Sequence, residues 1–180
     1  MASYLITGAS RGIGLELVSQ LAQQPAEQVS VVFAAIRSTP SVQLRELVER
    51  FQGKVVLITV TITDRTSIDH AVLEVERHLA GKGLDVLINN AGVLPFAPDG
   101  IATMDNLRYA FEVNVEAVQN MTAAFIPLLE RGTAKQVINM CVPFFSPCPG
   151  SFIRPGARKS CVDHVQIFVC GVDYKRSELQ

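Results

Sequence analysis

Residues 7–14 read Thr-Gly-Ala-Ser-Arg-Gly-Ile-Gly, directly after the apolar run Tyr4-Leu5-Ile6 and directly before a helical pattern. A strand that ends in a glycine-rich turn and opens a helix aims several backbone N–H groups, and the positive end of the helix dipole, at one spot. That arrangement suits a pyrophosphate. In this reading Gly8 makes the tight turn, Gly12 removes a Cβ where a phosphate must approach, and Gly14 lets the helix lie close to the strand; Ser10, Arg11 and Ile13 complete the loop. The spacing is Gly-x-x-x-Gly-x-Gly, distinct from the Gly-x-Gly-x-x-Gly fingerprint. Taken alone, the triplet also fits an ordinary strand-to-helix turn.

Beyond this turn the chain alternates apolar strands with amphipathic helices. Strands are expected at 3–7, 29–36, 54–60, 84–89 and 135–140. Helices are expected at 12–24, with Ile13, Leu17, Val18 and Leu21 as its stripe, at 42–52 behind a Ser41 cap, and at about 65–80 behind an Asp64 cap and ended by Gly81 and Gly83. A long helical region is expected over roughly 104–131, bent or broken near Asn114. Such alternation implies a parallel sheet with right-handed crossovers.

The 180 residues suffice for one domain with a real core, and the net charge of −1 gives no steering toward nucleic acid or an anionic membrane. No apolar stretch is long enough to span a bilayer, and the start Met1-Ala2-Ser3-Tyr4 lacks a basic, removable leader, so a soluble cytoplasmic protein is expected. The four cysteines, Cys141, Cys148, Cys161 and Cys170, all follow residue 140. Only Cys161-x-x-His164 has ligand-like spacing, so free thiols and no metal site are expected.

Three segments in order, Gly8 to Gly14, Asn89-Asn90-Ala91-Gly92 behind Leu84–Ile88, and Asn114 in Phe111-Glu112-Val113-Asn114-Val115, resemble the short-chain dehydrogenase/reductase family. The likeness covers residues 3 to about 140, and stretches such as Gly132–Asn139 are similar to fungal polyketide-pathway ketoreductases. It implies an α/β, Rossmann-like doubly wound parallel sheet, incomplete here after the fifth strand. It divides the chain into an NADP(H)-binding part, 1–140, and an irregular tail, 141–180. It also implies an oxidoreductase interconverting a hydrophobic ketone and alcohol.

After strand two the chain runs into Ile36-Arg37-Ser38 with no acid. An acid there would bond ribose hydroxyls, whereas Arg37, with Ser38 and by resemblance Arg11, can pair with a 2′-phosphate, which favours NADP(H) over NAD(H). The plainer alternative is a solvated arginine opening a loop. Where the family commonly has Asp-Val-Thr-Asp, this chain has Thr61-Ile62-Thr63-Asp64, so Thr61 replaces the acid that holds the adenine amine in relatives. By the same resemblance, Asn90, Ala91 and Gly92 pass beneath the nicotinamide-side ribose, and Asn114 holds a water in a proton relay.

The remaining chemistry is missing. Val142 stands where the resemblance places a catalytic serine, with Ser146 out of register, and no tyrosine is followed by lysine four residues later; Tyr174 and Lys175 are adjacent. After Met140, Pro143, Pro147, Pro149 and Pro155 interrupt regular structure, and only Val165–Cys170 looks like a strand. The tail reads as translation of a retained intron or a shifted frame, or as a divergent segment with its own job. The chain is therefore expected to be catalytically impaired or a non-catalytic nucleotide-binding fragment. Its stripe of Val118, Met121, Phe125 and Leu129 is expected to be left partly facing water, and the family's homo-oligomer interface to be disrupted.

Overall fold

The computed structural model describes residues 1–94, 104–141 and 166–171, with Cys141 and 166–171 as backbone only. Strand β1 (Ala2–Thr7) leads through the glycine turn to helix α1 (Gly12–Gln23). Then follow β2 (Val29–Ile36), α2 (Val42–Arg50), β3 (Val55–Thr59), α3 (Arg65–Leu79) and β4 (Val86–Asn89). Helix α4 (Leu107–Phe111) passes through a π-helical turn at Glu112–Glu116 into α5 (Ala117–Arg131), which precedes β5 (Gln136–Cys141) and β6 (Gln166–Gly171). The sheet order is β3-β2-β1-β4-β5-β6. The first five strands are mutually parallel and β6 runs antiparallel to β5, pairing Gln166 with Cys141 and Gly171 with Gln136. Strand order reverses between β1 and β4, the switch point at which α/β sheets bind ligands.

Alternation along the strands feeds two cores. Leu5, Phe33, Ala35, Ile58 and Leu87 point to the face covered by α3 and α5, joining Ile68, Val75, Met121, Phe125 and Leu129. Ile6, Val32, Ala34, Val86 and Ile88 point to the other face, joining Val18 and Ala22 of α1 and Leu44 of α2. The expected caps form: Ser41 Oγ accepts from Leu44 N at 3.2 Å, and Asp64 Oδ1 accepts from Thr66 N at 2.9 Å.

Three expectations need correction. Most of the α5 stripe does not face water: Met121, Phe125 and Leu129 are at most 1% exposed, because α5 packs on β4, β5 and α3 and needs no further helix to bury them, and only Val118 is half-buried. Exposed apolar side chains in this helical region lie ahead of α5, at Leu107, Tyr109, Phe111 and Val115, while Ile138 and Met140 on the opposite face of β5 are only half-buried. Ile13 does not belong to the inner stripe of α1, being 46% exposed; the buried line is Gly14, Val18 and Ala22. Helix α3 ends on Ala80, which adopts the left-handed conformation at φ 49°. Gly81 follows at φ 88°, but Gly83 terminates nothing. The parallel sheet ends at its fifth strand as expected, and β6, antiparallel to β5, falls where the run Val165–Cys170 suggested a strand.

Gly83 has another task. A Cβ there would stand 2.0 Å from Gly132 N, and a Cβ on Gly132 would stand 2.0 Å from Leu84 O. The segment entering β4 and the end of α5 thus meet backbone to backbone, sealed by Leu84 N donating to Leu128 O at 2.9 Å. Beside them Asp85 is 7% exposed yet fully engaged. Its Oδ2 accepts from Ser3 N (2.8 Å) and Ser3 Oγ (3.0 Å), and its Oδ1 from Thr133 N (2.7 Å) and Ala134 N (3.2 Å). Burial alone would raise the pKa of this carboxyl. The N–H groups of Ser3, Thr133 and Ala134 and the Ser3 hydroxyl outweigh it and hold the pKa below the ordinary value.

Candidate functional site

All the sequence-marked loops leave the sheet at one edge, the C-terminal ends of β1 to β4. The turn after β1 is held by two close approaches. A Cβ on Gly8 (φ +68°) would lie 2.9 Å from Ala91 Cα, and one on Gly14 would lie 2.4 Å from Gly8 O and 2.5 Å from Asn90 Nδ2. Gly12 differs: it is left-handed at φ +57°, and nothing stands within 4 Å of where its Cβ would be. The turn is therefore closed against the protein at Gly8 and Gly14 and open to a ligand at Gly12. Arg11, the residue before α1, makes no side-chain cap, and the first turn of α1 carries no acid. Its leading N–H groups remain available to an anion, with Ser10 and Ile13 flanking them.

The segment after β4 is bound to this turn. Asn90 Nδ2 donates to Thr7 O at 2.8 Å and to Gly8 O at 3.3 Å. Thr7 Oγ1 accepts from both Asn90 N and Ala91 N at 3.0 Å. Thr7 is thus the hub joining the two glycine segments. It escaped the sequence reading, although a hydroxyl closing an apolar strand immediately before glycine was the available signal.

Asn114 sits in the π turn, where Ala117 N bonds back five residues to Glu112 O. Its side chain is spent on one partner: Oδ1 accepts from Val93 N at 2.9 Å and Nδ2 donates to Val93 O at 2.8 Å. A Cβ on Gly92 would meet Asn114 Oδ1 at 3.2 Å. The π turn therefore fixes the path of the chain after β4, and such turns often mark functional positions. A second unforeseen network lies below. Asn89, 4% exposed, donates to Asn139 Oδ1 at 2.9 Å and to Thr122 Oγ1 at 3.1 Å, tying β4, β5 and α5 together. The consecutive asparagines at 89 and 90 were its only sequence signal, one serving each face of the strand.

Arg37 and Ser38 follow β2 and are exposed. Ala9 N donates to Ala35 O at 3.1 Å, so the glycine turn and the end of β2 are neighbours. Among the described residues neither Arg11 nor Arg37 is in an ion pair. Thr61 and Ile62 leave β3 beside them, half-buried, with Val60 N bonded to Ile36 O at 2.8 Å. Val142, Ser146 and the Tyr174-Lys175 pair lie outside the described residues, as do Cys148, Cys161 and His164. A separate cavity of about 750 Å³ lies between Thr63, ahead of α3, and the α4–α5 region, lined by Leu107, Phe111 and Glu116 among others, and contains none of the glycine-turn residues. No helix among the described residues is long and apolar enough to cross a membrane.

The sequence profile described as short chain dehydrogenase matches residues 3–144. Among curated relatives, the short-chain dehydrogenase/reductase AacuF of Aspergillus aculeatus is 36% identical over 149 residues, which are 78% of this chain and 54% of that protein. An NADPH-dependent 3-dehydrocapnine reductase of Ornithobacterium rhinotracheale is 30% identical over 73% of this chain and 44% of its own length. Among solved structures, the NADPH-bound carbonyl reductase from chicken fatty liver superposes with a TM-score of 0.63 at 33% identity, covering 73% of this chain and 49% of that one. The chain thus spans about half the length of the relatives it matches. With the glycine turn, the switch point and the Asn-Asn-Ala-Gly segment assembled at one edge of a parallel sheet, the chain belongs to the short-chain dehydrogenase/reductase family of oxidoreductases.

Proposed function

We propose that this chain forms the NADP(H)-binding part of a reductase that interconverts a hydrophobic ketone and its alcohol. One observation carries the cofactor choice: β2 ends in exposed Arg37 and Ser38, without an acid, beside the open Gly12 turn. In this reading Gly8, Ser10, Arg11, Gly12, Ile13 and Gly14 receive the diphosphate. Arg37, Ser38 and Arg11 take the 2′-phosphate, and Thr61 and Ile62 border the base. Asn90, Ala91 and Gly92 support the nicotinamide-side ribose, and Asn114 positions that segment through Val93. The bound cofactor would supply hydride. A polyketide-type substrate is proposed from the likeness of stretches such as Gly132–Asn139 to fungal polyketide-pathway ketoreductases. Titration by nucleotide fluorescence tests the reading: NADPH should bind at least about tenfold tighter than NADH, the worth of one charge-assisted contact. Equal or tighter NADH binding would overturn it.

A second reading, nucleotide binding without turnover, rests on the tyrosines. The chain has three, Tyr4, Tyr109 and Tyr174, and the residues four positions on are Gly8, Val113 and Glu178. None supplies the lysine that lowers a tyrosine pKa from the same helix face. NADPH oxidation with a panel of aromatic and aliphatic ketones should stay at background. Turnover that disappears in Asn114→Ala would reverse this reading.

A further inference from the structure

The sheet ends on β6. Strand order places it outermost beside β5, and among the described residues nothing pairs with its other side. Its six residues pair with β5 from Gln136–Gly171 to Cys141–Gln166 without a shift of register. In an antiparallel pair alternate residues turn their N–H and C=O groups away from the neighbour, so about three residues of β6 offer both groups outward. Edge strands are ordinarily blunted by a lysine, a proline or a bulge. The run Val165–Val172 carries no charged residue and no proline.

The register also locates the apolar positions. Val169 lies opposite Ile138 and Ile167 opposite Met140, so both fall on the face where Ile138 and Met140 are only half-buried. Two identical antiparallel strands are related by a two-fold axis perpendicular to their sheet, which sets like face beside like face. A second copy docked edge to edge would therefore bring the Ile138–Met140 ledge of one chain into line with that of the other. The charges flanking the run suit the same alignment. Asp163 and His164 precede it, and Asp173, Lys175 and Arg176 follow it. In sequence, antiparallel alignment about the centre of β6 matches His164 with Asp173 and brings Asp163 next to Lys175, whereas parallel alignment would match Asp163 with Asp163. We propose that β6 is a homodimerisation edge, at which two copies of this chain pair antiparallel through Gln166–Gly171 and continue one sheet across both.

Light scattering on the full chain over about a hundredfold dilution tests this, with a dimer expected at the concentrated end and a monomer at the dilute end. Val169 lies near the proposed axis, so Val169→Lys and Val169→Glu should each weaken dimerisation at least about tenfold by like-charge repulsion, and an equimolar mixture of the two should regain it. That rescue would separate a broken interface from a damaged fold. If neither variant folds, amide exchange of the wild type decides: protection at 166–171 should rise with concentration. A monomer throughout, growth beyond the dimer, a dimer untouched by both substitutions, folded variants whose mixture stays monomeric, or protection at 166–171 independent of concentration would each overturn the proposal.

Discussion

The two ends of the parallel sheet are built on opposite rules. At the N-terminal ends of the strands, every polar atom of the Asp85 carboxylate has partners, and Gly83 and Gly132 touch through their backbones. At the C-terminal ends, two arginines stand exposed, one helix begins without a side-chain cap, and Gly12 faces open space. One end is saturated by contacts within the chain. The other keeps donors and positive charge available for a ligand. Stability and binding are therefore separable here, and substitutions at one end should leave the other property largely intact.

The largest effect should come from Gly83→Ala or Gly132→Ala. In both the new methyl meets backbone at 2.0 Å, which no side-chain movement relieves. A loss of about 4 kcal/mol or more is expected, read as a collapsed thermal or urea transition. A variant that melts like the wild type would show that the two segments can part without consequence. Next in size is Asp85→Ala, which strands the N–H groups of Ser3, Thr133 and Ala134 and should cost about 3 kcal/mol at pH 7. The pH dependence follows the same residue. Its folded pKa lies below the ordinary carboxyl value of 3.8, so its contribution is complete above that value and is lost as pH falls through the folded pKa. Acid unfolding below about pH 4 should flatten in Asp85→Ala; an unchanged acid limb would assign that limb to other groups.

At the opposite end, Arg37→Ala should weaken NADPH by about 1.5–3 kcal/mol, leave NADH nearly unchanged and not move the melting temperature. A shifted melt would mean that the arginine belongs to the fold and not to the open edge. Gly12→Ala should have a small stability effect. It has room for the methyl but a positive φ, so about 1 kcal/mol of strain is expected together with a disproportionate loss of NADPH affinity. Equal losses in stability and binding would blur the contrast between the two ends.

Much of this was legible in the sequence because it depends on local patterns. Apolar runs placed β1 to β5 within about two residues, and Ser41 and Asp64 announced their caps. The glycine turn and Asn90-Ala91-Gly92 announced the edge where they meet. What stayed hidden depends on contacts distant in sequence. Nothing near Gly83 says that Gly132 will press against it. Asp85 looks like a polar interruption of a strand until Ser3 and Thr133 arrive. The burial of Met121 and Phe125 was misjudged because their cover was sought in a later helix, whereas the sheet and α3 already supply it. Thr7, Asn89 and Asn139 were passed over because each works across strands that the sequence separates by 50 to 83 positions.

The π turn at Glu112–Glu116 also sets the rotational phase of the long helix. An α-helix advances about 100° per residue, so an unbroken helix would place Phe111 only about 40° around the axis from the buried Phe125. One extra residue in the turn delays the screw by about 100°, carrying Phe111 to about 140° and bringing Ala110 to the inner side instead. The exposures agree: Phe111 is 54% exposed and Ala110 is buried. The same slip that turns Asn114 onto Val93 therefore sends a phenylalanine outward, so the two stretches of this helix, continuous in backbone, present their apolar sides in different directions.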